Sequence, residues 1–236
     1  MIVTASHDPE AAEREGLPQL RAIRSFVRRE GRITPAQQDA LERLWPRYGL
    51  EPAGRMLDPA VVFGRAAPLV VEIGFGSGDH LLASAQARPA DDFLGIEVHR
   101  PGVGRVLQQA EKLGLGNLRV VCADAVETLR QSLPPGFVDE IVIFFPDPWP
   151  KKRHHKRRLV QPEFARALAQ GLRAGGRLRL ATDWADYARH MREVLDAEPL
   201  LGGGAIPRPA DRPLTRFESR GLRLGHEVTD FEYRKL

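Results

Sequence analysis

The chain has 236 residues, a formal net charge of +4, 42% hydrophobic and 28% charged residues, which suits a soluble globular protein with one large domain or one domain plus an appended piece. No stretch approaches the roughly 20 apolar residues needed to cross a bilayer, which excludes a membrane-spanning helix, and the N-terminal residues carry no signal-peptide pattern. Cys122 is the only cysteine, so an internal disulfide is excluded and a reducing cytoplasm is the expected compartment.

Residues 1–20 are polar and rich in Glu, Ala and Pro, and read as a mobile tail. Residues 21–67 read as an N-terminal arm or helical lead-in, with Arg21, Arg24, Arg28 and Arg29 around Phe26 and Val27, then Trp45 and Tyr48. From residue 68 to 236 the pattern becomes apolar runs alternating with helical periodicity. The first run is Leu69 to Ile73, the second Phe93 to Val98, the third Leu118 to Cys122 and the fourth Glu140 to Phe145. A fifth, Arg177 to Ala181, follows a turn signal at Gly175-Gly176. Helical patterns separate them: Leu81-Leu82-Ala85, Val103 to Leu113, and Phe164-Leu168-Leu172 behind Pro162. Gly202-Gly203-Gly204 with Pro207, Pro209 and Pro213 reads as a flexible connection. Glu227 to Tyr233 reads as a late, antiparallel strand. The alternation predicts an α/β fold of the Rossmann-like, doubly wound type, with a mostly parallel sheet covered on both faces.

Ligands of such sheets bind beyond the carboxyl ends of the strands, and the informative residues fall there. After the first run comes Gly74-Phe75-Gly76-Ser77-Gly78, preceded by Glu72. Glycines permit a tight turn and close approach of backbone to ligand at a helix N-terminus. The spacing departs from the dinucleotide pattern, although a nicotinamide enzyme stays open as an alternative. A carboxylate at Glu72 would repel a pyrophosphate and attract a sulfonium amino acid, which favours S-adenosyl-L-methionine over NAD. Glu97 ends the second run, 25 residues after Glu72, where a carboxylate can accept ribose hydroxyls. Asp124 follows the third and could accept from an adenine amino group, or serve only as a helix N-cap.

The fourth run ends in Phe144-Phe145-Pro146-Asp147-Pro148-Trp149-Pro150-Lys151. Two prolines restrict the backbone around Asp147, and Trp149 offers a stacking face. Lys151 to Arg158 reads KKRHHKRR and holds six of the 35 Lys and Arg residues; without them the chain stands at −2. A charge run is usually a solvated face. This one begins at the rim of the expected cofactor cleft, which favours contact with a polyanion. His154 and His155 lack the partners of a metal site, and no metal is expected. Asp183 precedes Trp184 after the fifth run and could be a helix N-cap. Thr215 and Glu218 have capping-box spacing, and Phe217 reads as core.

The run Phe145 to Trp149 followed by the basic cluster resembles the signature of the bacterial tRNA (guanine-N7)-methyltransferases, a class I S-adenosylmethionine-dependent family. Arg24 to Arg32, Thr182-Asp183-Trp184 and Thr215-Arg216-Phe217-Glu218 with Arg220-Gly221 are similar to further blocks of that family, over about residues 21 to 235. The resemblance implies methyl transfer from S-adenosyl-L-methionine to N7 of a guanosine in the variable loop of tRNA, at position forty-six. It implies cofactor contacts from Glu72, Gly74, Gly76, Gly78, Glu97, Asp124 and Asp147, with Asp147 also the active-site residue. Lys151, Asp183, Thr215, Arg216, Phe217 and Glu218 would contact substrate. Arg153, His154, His155, Lys156, Arg157 and Arg158 would hold RNA. No membrane and no obligate protein partner is expected. The competing readings are a methyltransferase for another RNA, a protein or a small molecule, and an RNA-binding protein with a non-catalytic cofactor fold.

Overall fold

The computed structural model describes residues 32–51, 56–212, 218–219, 225 and 227–236. The expected α/β architecture is present, as an eight-stranded sheet in the order β1-β4-β3-β2-β5-β6-β8-β7. The strands are β1 (Gly49–Leu50), β2 (Leu69–Ile73), β3 (Asp92–Ile96), β4 (Leu118–Val121), β5 (Val138–Phe144), β6 (Leu172–Thr182), β7 (Leu201–Ile206) and β8 (Thr229–Lys235). The helices are α1 (Pro35–Arg43), α2 (Trp45–Tyr48), α3 (Pro59–Phe63), α4 (Asp79–Ala87), α5 (Arg100–Lys112), α6 (Ala125–Ser132), α7 (Pro162–Gly171) and α8 (Ala185–Asp196).

The central strands are parallel, and every residue of β2 and β3 is buried. That is why they read as continuous apolar runs rather than alternating ones. Helices cover both faces and divide the core in two. Residues of β5, α7, β6 and α8 pack in one cluster; α1, α4, α5 and alternate strand residues pack in the other. Residues 35–48 join the second cluster: Gln108 of α5 donates to the Ala36 carbonyl at 2.6 Å and Tyr48 is buried, while β1 pairs with β4.

Two expectations need correction. Gly202 to Gly204 are not a flexible connection; they form β7, antiparallel to β8. A Cβ on Gly203 would stand 2.2 Å from the Glu232 carbonyl oxygen. Glycine here permits close strand approach, a role that composition reads as flexibility. β6, the strand of the fifth apolar run, also begins earlier than expected. It starts at Leu172, and Gly175-Gly176 lies within a register shift against β5, between the pairs Val138↔Leu172 and Glu140↔Arg177. β8 is antiparallel to β6, as the late strand was expected to be.

Buried charge is paired. Glu140 of β5 accepts from Arg88, Arg177 and Arg179. Burial alone would raise its carboxyl, and the three guanidiniums bring it below the ordinary range. Among the described residues no helix is long and apolar enough to cross a membrane.

Candidate active site

The winding direction reverses between β2 and β5, which opens a crevice at the carboxyl edge. Sheet order then sets the strand-end acids side by side: Asp124 after β4, Glu97 after β3, Glu72 in β2, Asp147 after β5 and Asp183 after β6. Residues spread over more than 100 positions of sequence are thereby brought to one edge.

Gly74 and Gly76 have φ of 73° and 54°, a region that costs any side chain about 1–2 kcal/mol. A Cβ at either would meet nothing within 4 Å, so this part of the loop is open. Gly78 faces inward, where a Cβ would strike Val106 Cγ2 at 2.1 Å. Glu97 ties the loop to β3: its Oε2 accepts from the Gly76 N–H at 2.9 Å, and its Oε1 from Val98 and His99 at 2.7 and 2.9 Å. Asp124 is the N-cap of α6, accepting from Val126 and Glu127. Glu72 is buried and its Oε2 lies 2.7 Å from His80 Nδ1. His80 packs edge-on against Phe144, with ring centroids 4.8 Å apart. Sequence reasoning missed His80, whose only signal is its place on the first turn of the helix behind the glycine loop.

Beyond β5 the backbone is strained at two points. Phe145 and Trp149 have φ of 53° and 45°, the only non-glycine positive values among the described residues. Each costs about 1–3 kcal/mol, and such strain gathers where geometry is over-determined. Between them Asp147 is exposed. The Phe145 N–H donates to the Ala181 carbonyl at 2.8 Å, so the loop begins on the sheet. The Arg212 guanidinium lies 5.6 and 5.5 Å from the Phe144 and Phe145 ring centroids.

Asp183 sits in the bend after β6 and is not the helix cap. That position is Trp184, which makes no side-chain cap bond. Glu218 is only 1% exposed, and its oxygens accept from Arg212 at 2.7 Å and Arg208 at 3.0 Å. Burial would raise its carboxyl, but these arginines hold it below the usual range. Asp230, on the same Arg212, goes the other way: burial raises it and Glu218 adds repulsion. A substrate contact by the Glu218 carboxylate would require this cluster to open; as placed, it anchors the C-terminal segment. Thr215, Arg216 and Phe217 lie outside the described residues.

The basic run forms a 3-10 helix, Lys152–Arg157, at the rim beside Asp147. Lys151, Lys152, Arg153 and Lys156 are exposed, while His154, His155 and Arg157 are half-buried. Arg157 lies over the Trp149 ring, 5.1 Å from its centroid, and His154 meets that ring edge-on at 5.9 Å. A stacking role for Trp149 would therefore share its ring with Arg157. Desolvation, and then Arg153, Arg157, Lys151 and Lys156, hold His154 below the ordinary imidazole range. Arg158 departs from expectation. It is 2% exposed and turned into the protein, so it does not stand on the exposed rim with Lys152, Arg153 and Lys156.

Residues 66–231 match the family described as putative methyltransferase. A curated relative from Alkalilimnicola ehrlichii, named tRNA (guanine-N(7)-)-methyltransferase, is 59% identical over 91% of this chain and 93% of its own length. Relatives with the same name from Leifsonia xyli subsp. xyli and Alcanivorax borkumensis are 56% and 51% identical; they cover 90% and 99% of this chain, and 96% and 98% of their own lengths. Among solved structures, the 16S rRNA (adenine(1408)-N(1))-methyltransferase from Catenulisporales acidiphilia superposes with a TM-score of 0.55 at 18% identity, covering 76% of this chain and 92% of its own. That likeness speaks to the fold.

Proposed function

The chain belongs to the tRNA (guanine-N(7)-)-methyltransferase family, and from that premise we propose that it transfers a methyl group from S-adenosyl-L-methionine to N7 of a guanosine in the tRNA variable loop, at position forty-six. The observation that carries the reading is the shared edge. A glycine loop flanked by acids on β2, β3 and β4 adjoins the Asp147 loop on β5, and the basic 3-10 helix starts from that same loop.

The residues present fit a sulfonium nucleoside. The open surface at Gly74 and Gly76 is a cradle that a Cβ would fill. A buried carboxylate, Glu72, stands where a pyrophosphate would be repelled. Glu97 would take the ribose hydroxyls through Oε2, which accepts from one backbone amide and keeps a second lone pair, while Oε1 is filled by two amides. Asp124 would read the adenine edge and Glu72 the amino-acid end. The bound cofactor supplies an electrophilic methyl group on a cationic sulfur.

Guanine N7 carries an in-plane lone pair and no proton, so no base is needed before attack. Asp147 instead accepts hydrogen bonds from the N1–H and N2–H donors of guanine and stabilises the positive charge that develops on the base. Asp183, on the adjoining strand end, shares that edge, and Lys151 stands at the border with the RNA. Adenine lacks this donor pattern, and leaving unpaired those acceptors that the docked base covers can discriminate by about 10⁴. The target base must leave its tertiary contacts to reach the edge. Lys152, Arg153, His154, His155, Lys156 and Arg157 hold the RNA backbone.

The finer assignment is tested with a tRNA transcript carrying guanosine at position forty-six and one carrying adenosine there. Labelled methyl incorporation in the first alone is expected. Equal incorporation in both would contradict the assigned position.

A further inference from the structure

We propose that Arg158 is a positioning residue, a three-way joint that holds the Asp147 loop, the basic 3-10 helix and the first turn of α8 as one unit. The proposal rests on the functional reading above, since it concerns how the two guanine-facing carboxylates are kept in place.

A guanidinium at the end of a basic run would ordinarily point to solvent. This one is buried, and its donors are directed at three different elements. Nε–H donates to the Pro148 carbonyl at 3.0 Å. Nη2 donates to Asp186 Oδ2 on α8 at 2.5 Å and lies 3.1 Å from His155 Nε2 of the 3-10 helix. The plane of the group covers Tyr187, 5.0 Å from its centroid, and the Tyr187 hydroxyl accepts from the Val160 N–H at 3.1 Å.

The Pro148 carbonyl is a consequential place for a donor. It belongs to the peptide joining Pro148 to Trp149, whose φ of 45° is strained. On the other side, the proline ring fixes φ at residue 148 and restricts Asp147 before it. Little rotational slack therefore separates that carbonyl from the Asp147 carboxylate. The second arm, Asp186, lies three residues beyond Asp183. One planar group thus sets the spacing between the ends of β5 and β6, and with it the spacing of Asp147 and Asp183. A lysine keeps the charge but lacks the rigid fork that reaches two acceptors in one plane.

The test uses full-length protein carrying R158K, D186N or both. It measures kcat at saturating tRNA, tRNA Kd with its salt slope, and thermal unfolding. R158K should lower kcat by about 10- to 100-fold, the scale on which small misplacements act, while tRNA Kd stays within about twofold and the salt slope is unchanged. D186N should lower kcat in the same direction, and the double variant should be no worse than R158K alone, as for residues acting as a unit. If R158K fails to fold, D186N carries the test. Wild-type kcat in D186N or in a folded R158K, or a kcat loss matched by an equal loss of tRNA affinity, would overturn the joint. A wild-type chain that makes no 7-methylguanosine would overturn the functional reading and the joint with it; an active wild type with fully active variants would overturn only the joint.

Discussion

At the level of single residues, the division of labour among the strand-end acids follows from what each already binds. Glu97 and Asp124 hold backbone amides and so arrive pre-oriented, whereas Asp147 is exposed between two strained residues. Asp147→Ala should therefore lower turnover by about 10²–10³-fold, the cost of one well-placed electrostatic contact, and leave tRNA binding within about twofold. Single-turnover rates alongside a binding titration check this, and near-normal turnover would remove Asp147 from the chemistry. His154 supplies a pH signature. Its pKa lies below the ordinary 6.5 in the free protein, and phosphates brought beside it would raise it, so binding takes up a proton. Affinity for tRNA should then rise as pH falls toward the lowered pKa of the free protein, and His154→Gln should remove that component. A shared pH profile for wild type and variant would contradict this. The acids were legible because each lies within or just after a continuous apolar run. The inward turn of Arg158 was not, since composition cannot say which of six neighbouring cations finds buried acceptors.

Among elements, β7 and the basic 3-10 helix make the sharpest tests. β7 contains three consecutive glycines, and local propensity reads them as a linker. What makes them a strand is pairing with β8, a distant segment of the chain that no local pattern reveals. Gly203→Ala should destabilise the protein by about 1–3 kcal/mol through overpacking against Glu232 and Tyr233. Gly204→Ala meets nothing within 4 Å and should cost far less. Denaturant melts compare the two, and equal effects would contradict the register. For the basic 3-10 helix, replacing Lys152, Arg153 and Lys156 with Ala should weaken tRNA binding. The slope of log affinity against log salt should shrink by about 0.7–0.9 for each RNA phosphate that is no longer neutralised. An unchanged slope would move the RNA-binding surface elsewhere.

For the whole molecule, the proposed function rests on one topological fact. The sheet reverses its winding between β2 and β5, and the glycine loop, the acids and the cationic rim meet at that edge. The alternation of strands and helices was readable because parallel strands buried on both faces leave unbroken apolar runs. The antiparallel end of the sheet and the buried Arg212 cluster that braces Phe144 and Phe145 were not readable. Both depend on long-range pairing with the C-terminal segment. The most direct measurement is incubation of the protein with bulk tRNA and S-adenosyl-L-methionine, followed by nucleoside analysis. New 7-methylguanosine in tRNA, and no other new methylated nucleoside, is the expected result. Cofactor binding without 7-methylguanosine, or methylation at a different guanine atom, would contradict the proposed activity.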